Sequence, residues 1–463
     1  MFLLLLGQLF IASAQLFKMD TLQFKGDTDK YINVVIMGDG YTATEQEIFI
    51  QDARSIFNTI YGQPPWSNYL NYFNAFAIRV ISEQSGAKHP NTASDCNSAS
   101  PHVPVSSPHT YFDSSFDSYD IHRLVIPNNV SNIVQVLSSH FPNYDQVLII
   151  ANSSFYGGSG GAFATSTKES MSSEIMAHEM GHSFGYLADE YYVGDQYSRE
   201  QPNMTQQTDP SLIKWKNWMK TNQVGIFQHC CGGNSAQWYK PHENCKMQFL
   251  GRPFCSVCSE TIIERIHQLV NPVVSYLPLS STVNSPERLL DFKLTGLMKP
   301  MPNTLKITWE LDGKMINSNM DSVKIDQSLL SGGIHTLNCM VADTSTLVRL
   351  DSHRTDHFSL VSWTIHKTPT NIRLGSTDNQ VAFSVFPNPS KEFLTISIEM
   401  DKRAELAIHI ISAEGKMIRQ VSKKAWVNGT ISKTISIADL PPGAYILRFN
   451  VGRLVKNELF VKQ

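Results

Sequence analysis

Two histidines stand four residues apart, with a glutamate directly after the first, in the stretch "SSEIMAHEMGHSFGYLADEYY" at residues 172–192. Residues i and i+4 of a helix project from the same face, so His178 and His182 can reach a single metal ion. Neutral imidazoles suit zinc, which in catalytic sites takes three protein ligands and keeps one position for water. Zinc makes that water a nucleophile near neutral pH. Glu179 is placed to take the water's proton and pass it to a leaving amine, so the pattern predicts hydrolysis of an amide bond.

The third ligand must come from the residues that follow this helix. Gly185 lies three residues after His182, and we expect it to turn the chain sharply by a backbone conformation that other residues rarely adopt. Such a turn would return the next residues to the metal. Metzincin spacing would place the ligand at Ala188, whereas the carboxylates here are Asp189 and Glu190. The pattern alone leaves both carboxylates open as the third ligand.

A family resemblance extends over this stretch and beyond it. The motif from His178 to Tyr191 resembles the HExxHxxxxLxDEY signature of the IgA-peptidase family of zinc metallopeptidases. The stretches "VVIMGDGYT", "YGGSGGAFAT", "YKPHENCKM" and "PFCSVC" are also similar to that family. Together they cover about residues 30–270. The resemblance implies a zinc peptidase whose fold is an α/β zincin, close to the metzincins.

The resemblance also implies roles for the residues of the motif. Zinc would be bound by His178, His182 and Asp189, with Glu179 as the catalytic residue. A short carboxylate suits a ligand close to the backbone, which favours Asp189. Glu190 would then support the site through a hydrogen bond to one of the histidines.

Four further features are candidates for supporting roles, each with a plainer alternative. Met247 could form a methionine turn beneath the zinc or be an ordinary core residue. Tyr191 or Tyr239 could stabilise an oxyanion. "GGSGGAFAT" could be an edge strand that pairs with an extended peptide, or a flexible loop. "YFDSSFDSYD" offers oxygen ligands for calcium, but its spacing fits no loop motif and favours a solvated loop.

The elements around the motif alternate between strand and helix. "YINVVIMGDGYT" is typical of a buried strand, and Thr42 and Glu45 form a capping-box pair before a helix. Strands are predicted at "AFAIRVIS", "IHRLVIP" and "QVLIIAN", and helices at "SNIVQVLSSHF" and "CSETIIERIHQLV". The alternation predicts an α/β domain with a mixed sheet at residues 15–275, ending near Asn271 and Pro272.

Short strands without helical periodicity follow at residues 276–370. "RLLDFKLTGLM", "TLKITWELDGKMI", "IHTLNCMVAD" and "FSLVSWTIHK" are separated by turn signals. The pattern predicts a β-sandwich, and Trp309 and Cys339 resemble immunoglobulin-like core positions. The lone Cys339 excludes the disulfide between sheets. A turn-rich linker is predicted at residues 371–381.

The last module, residues 382–463, is also predicted to be all-β. Its Phe386-Pro387-Asn388-Pro389 turn, the segment Ala413-Glu414-Gly415-Lys416, the "LPPGAY" stretch and the closing Lys462 resemble the C-terminal sorting domain of type IX (Por) secretion cargo. The resemblance implies the type IX secretion machinery as a partner and a location at the cell surface or outside the cell. A third domain with a binding role is the alternative.

The amino terminus and the overall charge bound the location and the partners. Residues 1–14 are an apolar run that ends in Ala12-Ser13-Ala14, the small-x-small pattern of a signal peptide. No other stretch has the roughly 18 apolar residues of a membrane span. The formal net charge of -3 gives no large field of one sign, so nucleic acid is not implied as a partner.

Five of the seven cysteines lie in one short segment, at Cys230, Cys231, Cys245, Cys255 and Cys258. Export permits disulfides, which we favour, although the connectivity cannot be read from the sequence. Cys255 and Cys258, with Cys245 upstream, could instead form a structural zinc knuckle.

These observations predict an exported zinc endopeptidase that acts on protein or peptide substrates. A zinc amidase that acts on peptidoglycan or small amides is an alternative, because the same activation of water serves any amide carbonyl. A surface adhesin with a relic site is another. The sequence leaves the cleaved protein and the oligomeric state open.

Overall fold

The computed structural model describes residues 16–98, 102–367, 381–412, 416–452 and 454–463. The expected signal peptide at residues 1–14, residues 413–415 of the sorting resemblance and nearly all of the expected linker lie outside the described residues. Within the described ranges, no helix combines the length and the apolar character needed to cross a membrane.

The first part of the chain folds around a mixed sheet. Its strands are β1 (Met19–Gln23), β2 (Ile32–Asp39), β3 (Phe73–Ile78), β4 (Ser114–Ser115), β5 (Ile126–Pro127), β6 (Gln146–Ala151), β7 (Gly158–Ser159), β8 (Ala164–Thr167), β9 (Phe227–Gln228) and β10 (Tyr239–Lys240). Its helices are α1 (Gln46–Tyr61), α2 (Val130–His140), α3 (Ser172–Ser183) and α4 (Ser256–Leu269). The main sheet has the order β1-β3-β2-β6-β8-β7, parallel in the centre and antiparallel at both edges. The structure thus has the mixed sheet that the alternation predicts.

Helices cover both faces of this sheet. Strands β2, β3 and β6 are buried along their whole length, as central strands covered on both faces must be. Along β2, Val34 and Ile36 pack into the core that contains α1 and α3. Val35 and Met37 point the other way, into the core that contains α2. Helix α3 is therefore held on the same face as α1.

The start of the first helical segment is capped as the sequence predicts. The Glu45 carboxylate accepts hydrogen bonds from the backbone N–H and the hydroxyl of Thr42, each at 2.8 Å. This capping box opens a short 3-10 turn that continues into α1.

The predicted strand "IHRLVIP" forms only at its end, as β5, which pairs with β4. Within the predicted strand, His122 and Arg123 form a turn and Leu124 makes an isolated bridge to Gly158, so pairing with β4 begins only at Ile126. Asp117, Tyr119 and Asp120, which precede the predicted strand, have positive φ values of 65°, 52° and 61°.

A second region consists of two sheets packed around a shared core. Its strands are β11 (Val273–Leu277), β12 (Thr282–Val283), β13 (Leu289–Leu297), β14 (Leu305–Leu311), β15 (Lys314–Ser318), β16 (Ser322–Asp326), β17 (Gly333–Asp343) and β18 (Phe358–Lys367), with a short helix α5 (His353–Asp356). The sheet orders are β11-β13-β16 and β12-β18-β17-β14-β15. Phe292 of one sheet shares a core with Trp309 and Trp363 of the other. Because β11 pairs with β13, we propose that this region begins between Leu269 and Val273 rather than at residue 276.

The last region is a sheet of long strands. They are β19 (Val381–Phe386), β20 (Phe393–Ser412), β21 (Met417–Ser436), β22 (Gly443–Val451) and β23 (Leu454–Lys462). The order is β19-β20-β22-β23, with β21 also paired to β20. The chain therefore ends in the all-β tail that the sequence predicts.

Candidate metal centre

Helix α3 presents both motif histidines to one side. The rings of His178 and His182 lie 4.9 Å apart between centroids, as expected for positions i and i+4. The helix is held by buried side chains on its opposite face, including Met176 and Met180, which belong to the core beneath the main sheet. The spacing of the sequence and the packing of the helix therefore bring the two imidazoles together.

Three donor atoms converge after α3 ends. Asp189 Oδ1 lies 3.1 Å from His178 Nε2 and 3.2 Å from His182 Nε2. The two Nε2 atoms are 3.2 Å apart. A tetrahedral zinc site with bonds of about 2.0–2.1 Å has edges of about 3.3 Å between nitrogen and oxygen ligands. In type and spacing, these three donors fit a zinc ion.

The remaining ring nitrogens fix the orientation of both histidines. His178 Nδ1 lies 3.0 Å from the carbonyl oxygen of Lys246, and His182 Nδ1 lies 2.7 Å from that of Leu187. A carbonyl oxygen can only accept, so each Nδ1 carries a proton in the neutral ring. Each Nε2 then offers a lone pair toward Asp189, which is the arrangement that ligating histidines adopt.

The turn that returns Asp189 differs from the expected one. The positive φ value belongs to Tyr186, at 55°, and not to Gly185, so the expected conformation of Gly185 is wrong. A Cβ atom on Gly185 would lie 3.0 Å from the carbonyl oxygen of Gly181 and 3.3 Å from Ile262. The chain passes close to α3 and α4 at this point, so position 185 leaves little room for a side chain.

Glu190 also differs from its expected role. Its carboxylate accepts from Asn203 Nδ2 at 3.0 Å and from Cys258 Sγ at 3.3 Å, rather than from a histidine. Burial raises the pKa of Glu190 well above its usual value. Its backbone N–H donates to the carbonyl oxygen of Met247 at 2.8 Å. Glu190 therefore ties the segment after Asp189 to the protein interior, and backbone carbonyls orient the histidines in its place.

Met247 lies under the helix that carries the histidines. It is fully buried. A Cβ atom placed on Gly181 would lie only 2.5 Å from Met247 Sδ. Met247 thus packs against α3 at Gly181, which lies between the two histidines in sequence.

The cysteine-rich segment contains a disulfide between adjacent residues, Cys230 and Cys231. Its other cysteines are buried thiols whose sulfur atoms lie within 4.8 Å of one another and of a Glu190 oxygen: Cys245, Cys255 and Cys258. Their separation keeps both the zinc-knuckle interpretation and a further disulfide open.

The donors and Glu179 line an open cleft of about 1650 Å³. A carboxylate oxygen of Glu179 and ring nitrogens of both motif histidines lie within 4.8 Å of one another. Burial raises the pKa of Glu179 above its usual value, although His178 and His182 oppose the shift. A Cβ atom on Gly160 would overlap Glu179 Oε2, so the carboxylate lies directly against the backbone there.

The two candidate tyrosines and the glycine-rich stretch differ in whether they reach the cleft. Tyr191 lines the cleft, and its ring lies 6.1 Å from that of His178. Tyr239 instead belongs to β10 and pairs with Gln228 of β9. Strand β7 lies at the edge of the main sheet, and Gly160 and Gly161, which follow it, line the cleft.

Arg123 and His229 also line the cleft and were not identified from the sequence. Both are far from the HExxH motif along the chain, and neither belongs to a spaced pattern. Only the tertiary fold brings them to the site.

Two family models match the chain. The first, described as IgA Peptidase M64, matches residues 21–226. The second, described as a secretion system C-terminal sorting domain, matches residues 384–463. None of the curated proteins that were compared matches the chain.

The similarities to solved structures are weak. Dimeric latent PorU from Porphyromonas gingivalis is 16% identical, with 41% of this chain and 20% of that chain covered and a TM-score of 0.16. A β-glucuronidase from Faecalibacterium prausnitzii is 13% identical, with 34% of this chain and 33% of that chain covered and a TM-score of 0.15. The chain thus spans a third or less of either protein, and such low scores support no argument about fold or function.

The family matches overlap the two regions in which the sequence resemblances lie, and the first match ends at residue 226, before "YKPHENCKM" and "PFCSVC". The second match indicates export by the type IX system to the cell surface or beyond it. The first match includes α3, the three converging donors and Glu179. Residues 21–226 therefore match the IgA peptidase M64 family, and residues 384–463 match a type IX sorting domain.

Proposed function

We propose that this protein is a zinc-dependent endopeptidase whose metal is held by His178, His182 and Asp189. The observation that carries the proposal is the convergence of these three donor atoms at separations of 3.1–3.2 Å. The Nδ1 contacts of both histidines support it, because they leave the Nε2 lone pairs free to bind the ion. When bound, zinc supplies the positive charge that polarises a scissile carbonyl and acidifies water.

Glu179 is proposed as the general base and acid. It follows His178 directly, and its carboxylate faces the same cleft as the three donors. Hydrolysis requires a group that takes a proton from the attacking water and gives it to the leaving amine. A carboxylate oxygen of Glu179 lies within 4.8 Å of ring nitrogens of both histidines, which places it close to where the ion and its water would lie.

The size of the cleft favours polypeptide substrates over small amides. Its volume of about 1650 Å³ exceeds the roughly 300–1,000 Å³ of typical small-molecule pockets. Six tyrosines contribute to its walls: Tyr119, Tyr156, Tyr186, Tyr191, Tyr192 and Tyr197. Large aromatic side chains with a polar tip can contact both the backbone and the side chains of an extended peptide.

The zinc content of two aspartate variants tests the ligand assignment. Asp189→Ala should contain one zinc per chain fewer than the wild type, because a donor of the site is lost. Asp195→Ala is the matched control, since Asp195 also lies after α3 but accepts hydrogen bonds from Ser235 and not from a histidine. Full zinc content in Asp189→Ala would overturn the assignment. Wild-type protein that releases fragments from peptidoglycan but leaves unfolded protein intact would favour the amidase.

A further inference from the structure

A further cluster of metal-binding residue types lies in the segment between β3 and α2. Its members are buried side chains whose ligand atoms lie within 4.8 Å of one another: His89, Cys96, Asp117 and His122. We call this cluster the 89–122 site. Its residues come from loops and a single 3-10 turn, so their spacing in the sequence matches no metal motif.

The distances within the 89–122 site range from 2.8 to 3.9 Å, on either side of the edge lengths of a tetrahedron of zinc ligands. Asp117 Oδ1 lies 2.8 Å from His122 Nδ1 and 3.5 Å from His89 Nε2. Cys96 Sγ lies 3.3 Å from Asp117 Oδ1 and 3.6 Å from His122 Nδ1. The longest of these contacts, 3.9 Å, joins Cys96 Sγ to His89 Nε2. Zinc bonds of about 2.0–2.1 Å to nitrogen and oxygen and 2.3 Å to sulfur give edges of about 3.3–3.6 Å.

The hydrogen bond of His89 Nδ1 favours a cation at the centre of the cluster. His89 Nδ1 lies 3.0 Å from the carbonyl oxygen of Pro104, which can only accept, so Nδ1 carries a proton. In the neutral ring, Nε2 then presents a lone pair to the Asp117 carboxylate. Two acceptors facing each other in a buried site are unfavourable unless a proton or a metal cation lies between them. A metal ion would supply that positive charge and would also take the Cys96 sulfur, whose thiol faces Asp117 Oδ1, as a ligand.

The second carboxylate oxygen of Asp117 already has a partner. It accepts the backbone N–H of Thr92 at 2.8 Å. Oδ1 is therefore the atom on which the thiol and both imidazoles converge. Contacts of this kind outside the metal bonds are typical of ligating carboxylates, which are held by hydrogen bonds to their other oxygen.

The 89–122 site also lies next to a strained part of the chain that borders the cleft. Asp117, Tyr119 and Asp120 all have positive φ values, which non-glycine residues keep only where their surroundings fix them. Tyr119, Ile121 and Arg123 line the cleft. Two ligands of the site, at positions 117 and 122, thus lie on either side of Tyr119, Asp120 and Ile121 in this wall of the cleft.

We propose that the 89–122 site binds a structural zinc ion that fixes this wall of the cleft. A set of two imidazoles, a thiolate and a carboxylate suits zinc among the common metals. Binding converts the Cys96 thiol to a thiolate, and its proton passes to solvent. The ion would also protect the thiolate of an exported protein from oxidation, because the sulfur is then coordinated and buried.

The zinc content of the purified full-length chain tests this proposal. Cys96→Ser should contain one zinc per chain fewer than the wild type. His109→Ala, which changes an exposed histidine of the same segment, should keep the wild-type content. The double variant Cys96→Ser/Asp189→Ala should lose two, which separates this ion from the proposed catalytic one. Wild-type zinc content in Cys96→Ser would overturn the proposal.

Hydrogen exchange keeps the proposal testable if Cys96→Ser does not fold. The Asp189→Ala chain lacks the proposed catalytic zinc but retains every ligand of the 89–122 site. Chelation should increase amide exchange in residues 117–122 by about tenfold or more, and added zinc should restore protection. Equal protection before and after chelation would show that hydrogen bonds alone hold the segment, and the proposal would be wrong.

Discussion

The carboxylate of Glu179 lies against the backbone of Gly160, where no side chain could be accommodated without displacing it. The proposed proton transfers require that carboxylate to face the cleft at a fixed position. General acid–base catalysis depends on such placement within about 0.5 Å. The glycine-rich stretch before α3 therefore contributes to the site by leaving space for the Glu179 carboxylate.

Gly160→Ala should lower kcat by about 10-fold to 100-fold, because the new methyl group displaces the Glu179 carboxylate. Gly232→Ala is the matched control, since a Cβ atom there meets no atom within 4 Å. Steady-state cleavage of an unfolded protein substrate measures both. Equal kcat values for the two variants would show that Glu179 adjusts without loss, and that Gly160 has no positioning role.

The residue types and spacing predict which side chains converge on the site, but not how the chain turns after α3. His178 and His182 follow from helical periodicity, which is a local property. The conformations of Gly185 and Tyr186 depend on how closely the chain packs on α3 and α4, and that contact is tertiary. Glu190 was misassigned for the same reason, because the sequence does not show that Asn203 and Cys258 lie beside it.

At the scale of elements, α3 is positioned by its contact with Met247. A glycine inside a helix is normally less favourable than alanine by about 1 kcal/mol. At Gly181, however, a methyl group would press on Met247 Sδ and approach Phe254 to 3.3 Å. The close packing of α3 on Met247 therefore requires a glycine at position 181, in spite of its lower helix propensity.

Gly181→Ala should destabilise the protein by about 1–3 kcal/mol, because overpacking outweighs the gain in helix propensity. Urea unfolding of the variant measures the change. In the background of Met247→Ala, the same substitution should be neutral or stabilising, because the sulfur is gone. If Gly181→Ala instead raises the free energy of unfolding in the wild-type background, the contact with Met247 does not constrain α3.

The regular elements could be predicted where their patterns are local. The capping box of Thr42 and Glu45, the buried central strands and the β-rich second half all follow from residue types and periodicity. The predicted strand "IHRLVIP" was wrong over most of its length, because a turn at His122 and Arg123, where His122 contacts Asp117, interrupts it. The 89–122 site was missed for a related reason, since its residues are spread over a segment with little regular structure.

At the scale of the whole molecule, a buried polar contact joins α4 to the β-rich region that follows it. Glu264 accepts from His353 Nδ1 and, at 2.8 Å, from His357 Nε2. His267 Nε2 lies 3.0 Å from Asp343 Oδ2 in the same interface, and both side chains are fully buried. Such contacts couple the two regions, because separating them would leave buried charges without partners.

Glu264→Gln should destabilise the protein by about 1–3 kcal/mol, because both histidines lose a charged partner in a buried site. The matched control is Asp351→Asn, which alters an exposed contact with Lys216 across the same boundary. Exposed pairs contribute about 1 kcal/mol or less. Urea unfolding distinguishes the two variants, and equal losses would show that the buried contact adds nothing.

The stability difference between wild type and Glu264→Gln should be largest near pH 5–6. The hydrogen bonds from His353 and His357 overcome burial and lower the pKa of Glu264 to about 2. The stabilisation that ionised Glu264 gives the folded protein is therefore present above the carboxyl's unfolded-state pKa of about 4.3. It is lost as the pH falls toward 2. Glu264 also raises the pKa of His353 against the effect of burial. The stabilisation from protonated His353 is present below the imidazole's unfolded-state pKa of about 6.5. It is lost as the pH rises through the raised pKa of His353 in the folded protein.

Urea unfolding at pH 3, 5.5 and 8.5 measures this dependence. Groups that also face His353 act on both proteins: Asp343, Glu260, His267 and His357. Because these groups are common to both, the comparison isolates the contribution of Glu264. If the difference in unfolding free energy between wild type and Glu264→Gln is the same at all three pH values, Glu264 is not coupled to the two histidines.

The most direct test of the central claim is cleavage of an unfolded protein by the Glu179→Gln variant. The substitution keeps the size of the side chain but removes the group that carries protons. We expect activity to fall by about 10²-fold to 10⁴-fold, with zinc content unchanged. The control Glu200→Gln alters another glutamate of the cleft, which is paired with Lys214, and should retain activity. Wild-type cleavage by Glu179→Gln would contradict the proposed mechanism.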